Sequence, residues 1–294
     1  MEENQDFKSF NDKKKKSENK VIIAIVLIGL GIVAYLASGG SNVLAVLGII
    51  IGIVGLVFLI IGMVGFSQVK KNFKEQILTE MFKKMIPDVT YTPNLGLDEY
   101  QVYSSEVLKH ADRFHSEDYI AGTVQDVKFI SSDVKLEERH VQHTKNGTRV
   151  YYVAYFVGRV FRFDFNKTFT GNLQVLESGS PYSKRKFNRV KMESVDFNKK
   201  FRIFAEEDIT AFYILTPDIM ERIFDLEKRN PGRISMSFLG DHLYVAINNN
   251  HDTFELQMFR KLDETVIEEF KQDLLVIKDF IVSLKLNNKL FKKD

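Results

Sequence analysis

Between Val21 and Phe66 the chain carries two apolar segments, Val21–Ser38 and Val43–Phe66, separated only by Gly39, Gly40, Ser41 and Asn42. No Asp, Glu, Lys, Arg or His falls inside this stretch. A bilayer core about 30 Å thick is crossed by roughly 20 apolar residues rising about 1.5 Å each. Each segment is close to that length, and the short break reverses direction and does little else. The pattern predicts a transmembrane helical hairpin over residues 21–66, with the lipid bilayer as its first partner.

The flanks predict its orientation. Lys8, the run from Lys13 to Lys16, and Lys20 precede the first segment; Lys70, Lys71 and Lys74 follow the second; the break holds no cation. Basic residues beside a span stay on the cytoplasmic side. Both ends are therefore expected in the cytoplasm, N-in and C-in, in the cell (cytoplasmic) membrane. A cleaved signal peptide is the competing reading of the first segment, with Ala34-Tyr35-Leu36-Ala37 as a loose cleavage site. The run is too long for a usual signal core, and a second span follows at once. Gly31 and Ala34 in the first span, and Ala45, Gly48, Gly52 and Gly55 in the second, form stripes of small residues that let helix backbones approach. They suit packing within one hairpin or, alternatively, a homo-oligomer. With no ionisable group at membrane depth, an ion pathway through these helices is not expected.

The chain has 294 residues, 41 Lys and Arg against 39 Asp and Glu, and no Cys or Trp. Six lysines and five acids precede Val21, which leaves 35 cations against 34 acids beyond Phe66. That balance argues against a nucleic-acid partner, whose phosphates demand a basic excess. Absence of Cys removes thiol catalysis, disulfides and Cys-ligated zinc together.

Residues 1–20 are polar without apolar periodicity and read as a disordered cytoplasmic arm. Residues 67–96 read as a juxtamembrane amphipathic helix, Ser67–Ile86, ended by Pro87 and followed by an extended linker at Tyr91–Asn94. Residues 97–294 are expected to form a cytoplasmic α+β domain with a mainly antiparallel sheet and packed helices. Its elements begin with a helix over Asp98–Phe114. Strands follow at Tyr119–Val124, Val127–Leu136, Arg149–Phe165 and Gly171–Leu176, with Phe161, Phe163 and Phe165 on one face and an Asn146-Gly147 hairpin turn. Gly158 marks a bulge or a close backbone approach. Then come a loop at Ser178–Lys191, a strand at Phe201–Phe204 and a helix opened by Thr216-Pro217. A hairpin around Gly240-Asp241, a strand at Phe254–Met258 and a final helix Glu264–Leu284 complete the order. Strands closed by a long helix match the element order of a pleckstrin-homology-like barrel.

Four blocks carry a family resemblance: EDYIAGTVQDVKF (117–129), FVGRVFRFDFNKTFTG (156–171), MESVDFNKKFRIFAEEDITAFYILTPDIMERI (192–223) and ISMSFLGDHLYVAI (234–247). With the preceding hairpin they resemble the bacterial domain-of-unknown-function family 3137. This chain departs from the family pattern around Arg159-Val160, where a second glycine and a bulkier aromatic are usual. The resemblance implies a bacterial membrane protein with no assigned activity, and a LemA-type membrane protein as a partner. It supplies no catalytic residues.

Residue chemistry adds little. His140 and His143, three apart in a strand, fall on opposite faces and so cannot share a metal. His110 and His115 with Asp112, Glu117 and Asp118, or Glu206-Glu207-Asp208, could meet a cation but equally suit element ends. No phosphate loop, nucleophile elbow, HExxH or dinucleotide fingerprint is present, so no metal and no cofactor is expected. Asn146-Gly147-Thr148 and Asn166-Lys167-Thr168 are formal glycosylation sequons that a bacterial cytoplasmic domain would not use. Lys184, Arg185, Lys186, Arg189 and Lys191 form the one strong basic cluster, suited to anionic lipid or an acidic partner. The reading is a membrane-anchored binding or scaffold module, more a non-enzyme than an enzyme. The alternatives are an enzyme whose His and carboxylates meet only in three dimensions, or an accessory subunit of a transporter.

Overall fold

The computed structural model describes residues 2–145, 147–164 and 171–286, with side chains from residue 7 onward. Asn146, Phe165 and the sequon at Asn166–Thr168 lie outside the described residues. The chain divides into two compact units, Met1–Leu78 with Glu255–Glu269, and Thr79–Phe254 with Phe270–Asp294.

The first unit is built on helices α1 (Glu2–Leu36) and α2 (Asn42–Asn72), each long and apolar enough to cross a membrane. Gly39 and Gly40 take left-handed φ of +54° and +97° in the turn between them, which is where glycine is needed. The helices run antiparallel: Gly31 meets Gly48 and Gly52, Gly55 meets Ala24 and Ile28, and Gly62 meets Ser17 and Val21. The outward side chains of both helices are apolar, and Ile25, Leu30, Val33, Val43, Ile60 and Val64 are more than half exposed.

Residues 2–20, expected to be disordered, form the first turns of α1. The reason is a buried stripe at Phe10, Lys14, Ser17, Val21 and Ala24, spaced four and three apart. Two of its members are polar, so no apolar period shows in the sequence. Lys14 pairs with Glu18 and lies over the Phe66 ring, and Phe10 meets Phe73 edge-on at 6.2 Å. After α2 the helix widens into a π-helical turn, Phe73–Leu78, which steps the buried stripe from Val69 and Phe73 to Leu78. Residues 255–258, expected as part of a strand, are irregular. In this unit the Asn11 amide exchanges two hydrogen bonds with the Leu262 backbone (2.6 and 3.1 Å), Glu18 accepts from the Phe259 N–H, and Lys70 and Lys74 both pair with Glu255.

The second unit is α+β. Its sheet comprises β1 (Thr90–Thr92), β2 (Arg113–Val124), β3 (Val127–Thr144), β4 (Gly147–Asp164), β5 (Leu173–Leu176), β6 (Asn188–Val190), β7 (Arg202–Ala205), β8 (Arg233–Leu239) and β9 (His242–Asn248). The spatial order is β1-β2-β3-β4-β9-β8-β5-β7-β6 and every pairing is antiparallel. With β1 and β6 as separate edges the sheet is open, not the barrel that element order suggested. The helices are α3 (Thr79–Met85), α4 (Glu99–Tyr103), α5 (Val195–Lys200), α6 (Asp208–Ile214), α7 (Pro217–Arg229) and α8 (Glu264–Ser283), the last shared with the first unit.

Side-chain alternation along β4 splits the core between two faces. Phe161 and Phe163 stack at 6.0 Å and receive Phe280 of α8 on one face. Val160 joins Leu97, Val102, Val134, Leu136 and Ala246 on the other. Gly158 lets the Ile247 carbonyl of β9 come into the space a Cβ would fill, the close approach its position suggested. The Asp98–Phe114 helix shrinks to α4, capped by an Asp98–Gln101 capping box. The Ser104 and Ser105 hydroxyls donate back to Tyr100 and Val102 carbonyls, and Glu106 turns left-handed, so the chain leaves the helix while Val107 and Leu108 still reach the core. The extended linker proves to be β1, and the predicted loop Ser178–Lys191 contains β6.

Candidate functional site

Where β2, β3 and β4 run side by side, charge is buried in the sheet. A register shift between Glu117 and Ile120 makes a bulge in β2, and Asp118, at φ +55°, is left fully buried there. Asp133 of β3 stands directly across the ladder from Arg159 of β4, and Arg159 Nε lies 3.2 Å from Asp133 Oδ1. The same guanidinium donates through Nη2 to the Asp118 carbonyl (3.1 Å) and lies 4.5 Å from the Phe254 ring centroid. Tyr91 of β1 donates its hydroxyl to Asp118 Oδ1 (2.5 Å), and the Thr253 N–H donates to Asp133 Oδ2 (2.6 Å). Phe82 meets Tyr91 and Phe254 edge-on at 4.8 and 4.9 Å and closes the apolar wall. Carboxylate oxygens of Asp118, Asp133 and Asp252 lie within 4.8 Å of one another.

The electrostatics follow from burial. The Tyr91 phenol is pushed up by desolvation first and by the Asp118 carboxylate second. Desolvation likewise raises Asp133, to about 8, against the pull of Arg159 and with the push of the Asp118 and Asp252 charges. Burial therefore favours the protonated form of the Asp133 carboxyl. By number the cluster's three carboxylates could ligate a divalent ion, but the Arg159 guanidinium already supplies positive charge at contact distance. The donor set suits a compensated polar network better than a metal.

Sequence reasoning named Asp118 only, and missed Tyr91, Asp133 and Arg159. The usable signal was a charge inside otherwise apolar strand runs, and Arg159 is also where the family pattern breaks. The other residues weighed for chemistry have partners of their own outside this cluster. His110 is exposed and stacks on Tyr103 at 3.9 Å; His115 is exposed, 3.3 Å from Glu117. Glu206 accepts from Asn172 (2.7 Å), and Asp208 opens α6 beside β7. His140 stacks on Tyr151 and His143 contacts Thr148 Oγ1, three positions apart and so on opposite faces of the strand.

In the basic cluster, Arg185, itself exposed, pairs with Glu106 (3.2 Å) and Glu206 (3.7 Å). Lys184, Lys186, Arg189 and Lys191 are exposed around the edge strand β6. Of the small residues, a Cβ on Gly31 would come within 2.7 Å of the Gly48 carbonyl, and one on Gly48 within 2.8 Å of the Gly31 carbonyl. Gly52 supplies backbone to the Gly31 contact, Gly55 lies against Ala24 and Ile28, and Ala34 and Ala45 are half-buried.

A search of curated proteins finds no match. Among solved structures, the mycobacterial trehalose monomycolate transport factor A, TtfA, is similar at a TM-score of 0.37 and 6% identity, over 67% of this chain and 88% of that one. Residues 154–286, from the distal half of β4 through α8, match the family model described as Protein of unknown function (DUF3137), in line with the resemblance carried by the sequence blocks.

Proposed function

We propose that this protein is a two-span cell-membrane protein with both ends in the cytoplasm. It holds its α+β domain at the inner surface as a binding or scaffold module rather than an enzyme. The observation that carries this reading is the outward apolar surface of α1 and α2, flanked by lysines at both ends and by none in the turn. Partners that fit are the bilayer and other membrane proteins, a LemA-type protein among them; balanced charge does not favour nucleic acid. The exposed Lys184, Lys186, Arg189 and Lys191 suit anionic headgroups, each worth about 1 kcal/mol near the surface.

The naturally thiol-free chain allows a direct test of sidedness. Ser41→Cys in the turn and Lys186→Cys beside β6 are introduced separately. An impermeant maleimide on whole cells is expected to label Ser41→Cys, and to label Lys186→Cys only after lysis. Labelling of Lys186→Cys in intact cells with Ser41→Cys spared overturns the orientation, and recovery of the chain in the soluble fraction overturns the anchor.

A further inference from the structure

β3 and β4 are longer than the strands beside them. β2 pairs with β3 only as far as Glu137, and β9 reaches only Gly158 of β4. From Glu138 to Thr144 and from Gly147 to Val153 the two strands pair with each other alone. Seven residues at about 3.4 Å each carry this ribbon about 24 Å beyond its neighbours. Side chains and loop backbone finish the covered part: Asp112 takes the Arg139 N–H, Asn248 bonds Tyr155 O and Val157 N, and the Asn250 N–H bonds Val157 O. Past these points antiparallel alternation turns the N–H and C=O of Val141 and His143 outward on β3, and those of Thr148, Val150 and Tyr152 outward on β4. Among the described residues nothing pairs with them. Such an edge is a template for another strand.

Charge decides which strand. Arg139 to Val153 contains three cations, Arg139, Lys145 and Arg149, and no acid. None of the three has a carboxylate within ion-pair distance among the described residues. Glu137 and Glu138 at the base are already paired with Lys135 and Lys109. A second copy would set three cations against three. Val141, Val150, Tyr151 and Val153 are each at least 40% exposed, yet they lie along the sides. The tip, Thr144, Lys145, Gly147 and Thr148, offers no large apolar side chain to a bilayer. Asp112 guards the β3 edge with negative charge, whereas the β4 edge is flanked by neutral Asn248 and Asn250.

We propose that the free edge of β4 at Thr148–Tyr152 is a docking strand for an extended acidic segment of a partner protein. The backbone supplies ladder hydrogen bonds, Arg149 meets the carboxylates on its face of the ribbon, and Val150 covers the alternate apolar side chains on the other. This deepens the binding-module reading by naming its surface and the chemistry of its partner.

The test uses the full chain in phosphatidylcholine nanodiscs, so its outcome does not depend on how the cell orients the hairpin. The probe is a fluorescein-labelled peptide of alternating glutamate and valine, with an alternating lysine and valine peptide as its counterpart. Saturable binding of the acidic peptide, at least tenfold tighter than the basic one, is expected. Arg149→Glu should weaken it at least tenfold. Val150→Pro, which removes an outward N–H, should do the same at unchanged Tm, while Lys128→Glu at the far end of β3 leaves binding intact. Exposed Arg149→Glu keeps the test valid if the proline variant unfolds. Absence of saturable binding, or equal binding by Arg149→Glu, overturns the proposal. So does Arg149-dependent capture of phosphatidylglycerol vesicles without peptide binding, or self-association that Val150→Pro abolishes.

Discussion

Asp133 is a carboxyl that folding moves from water into a sheet interior, and the direction of its shift fixes how stability depends on pH. Its folded pKa, about 8, lies above the unfolded value near 3.8, because burial outweighs Arg159. Between those values the folded state holds a proton that the unfolded state has lost. The stabilisation is fully present below about pH 4 and is lost as pH rises through about 8, with a slope of at most about 1.4 kcal/mol per pH unit. Urea midpoints of the sheet domain, followed by far-UV circular dichroism at pH 5, 6, 7 and 8, are expected to fall steadily, and Asp133→Asn should flatten the series. A midpoint that rises with pH in the wild type refutes this assignment. Arg159 is the complementary case. Arg159→Leu removes the guanidinium that draws the Asp133 carboxyl down, so the carboxyl should hold its proton to higher pH and the midpoint should go on falling beyond pH 8, where the wild type levels off. A midpoint that levels off at the same pH in both proteins would mean that Arg159 does not set the proton affinity of Asp133.

At the scale of elements, the α1–α2 contact rests on absent side chains. Because a Cβ at Gly31 already comes within 2.7 Å of the Gly48 carbonyl, Gly31→Leu cannot be absorbed by rotating a flexible chain. Helix separation should follow, read as a lower thermal midpoint and faster proteolysis in the Gly39–Asn42 turn in nanodiscs, while Gly29→Leu, where a Cβ meets open space, leaves both unchanged. Elements with a strong local signal were legible in the sequence for this kind of reason. Thr216 caps α7 through the Ile219 N–H with Pro217 in the first turn; β8 and β9 meet at the left-handed Gly240; α8 keeps its three-and-four spacing. The unread elements lack such signals. β1 and β6 are three residues each and exist through pairing with distant strands, Tyr91 with Ile120 and Arg189 with Phe204. α5 and α6 span under two turns, and the helical start of α1 hides its buried stripe behind Lys14 and Ser17. The charged cluster was illegible because Tyr91, Asp118, Asp133 and Arg159 come from four strands, and register alone assembles them.

At the scale of the whole molecule, the helical hairpin is not a detachable handle. Its compact unit includes Glu255–Glu269, a segment that follows the last strand and leads into α8. Three sets of contacts hold that segment to the N-terminal helices: Asn11 to the Leu262 backbone, Glu18 to the Phe259 N–H, and Lys70 with Lys74 to Glu255. Residues 255–263 contain no regular secondary structure, and these contacts add to the Arg260–Glu269 pair in holding their backbone. Deleting residues 1–78 removes every one of those N-terminal partners while leaving all nine strands intact. The shortened chain should retain the strand signature in far-UV circular dichroism and the pH response of Asp133. It should, however, become cleavable by trypsin at Arg260 and Lys261 at least tenfold faster than the full chain in nanodiscs, with Arg229, tied to Asp279 and Ser283 in the second unit, as the internal reference. Equal cleavage rates at Arg260 in the two forms would mean that the segment is held by α8 alone. A collapse of the strand signal would mean that the sheet itself depends on the anchor.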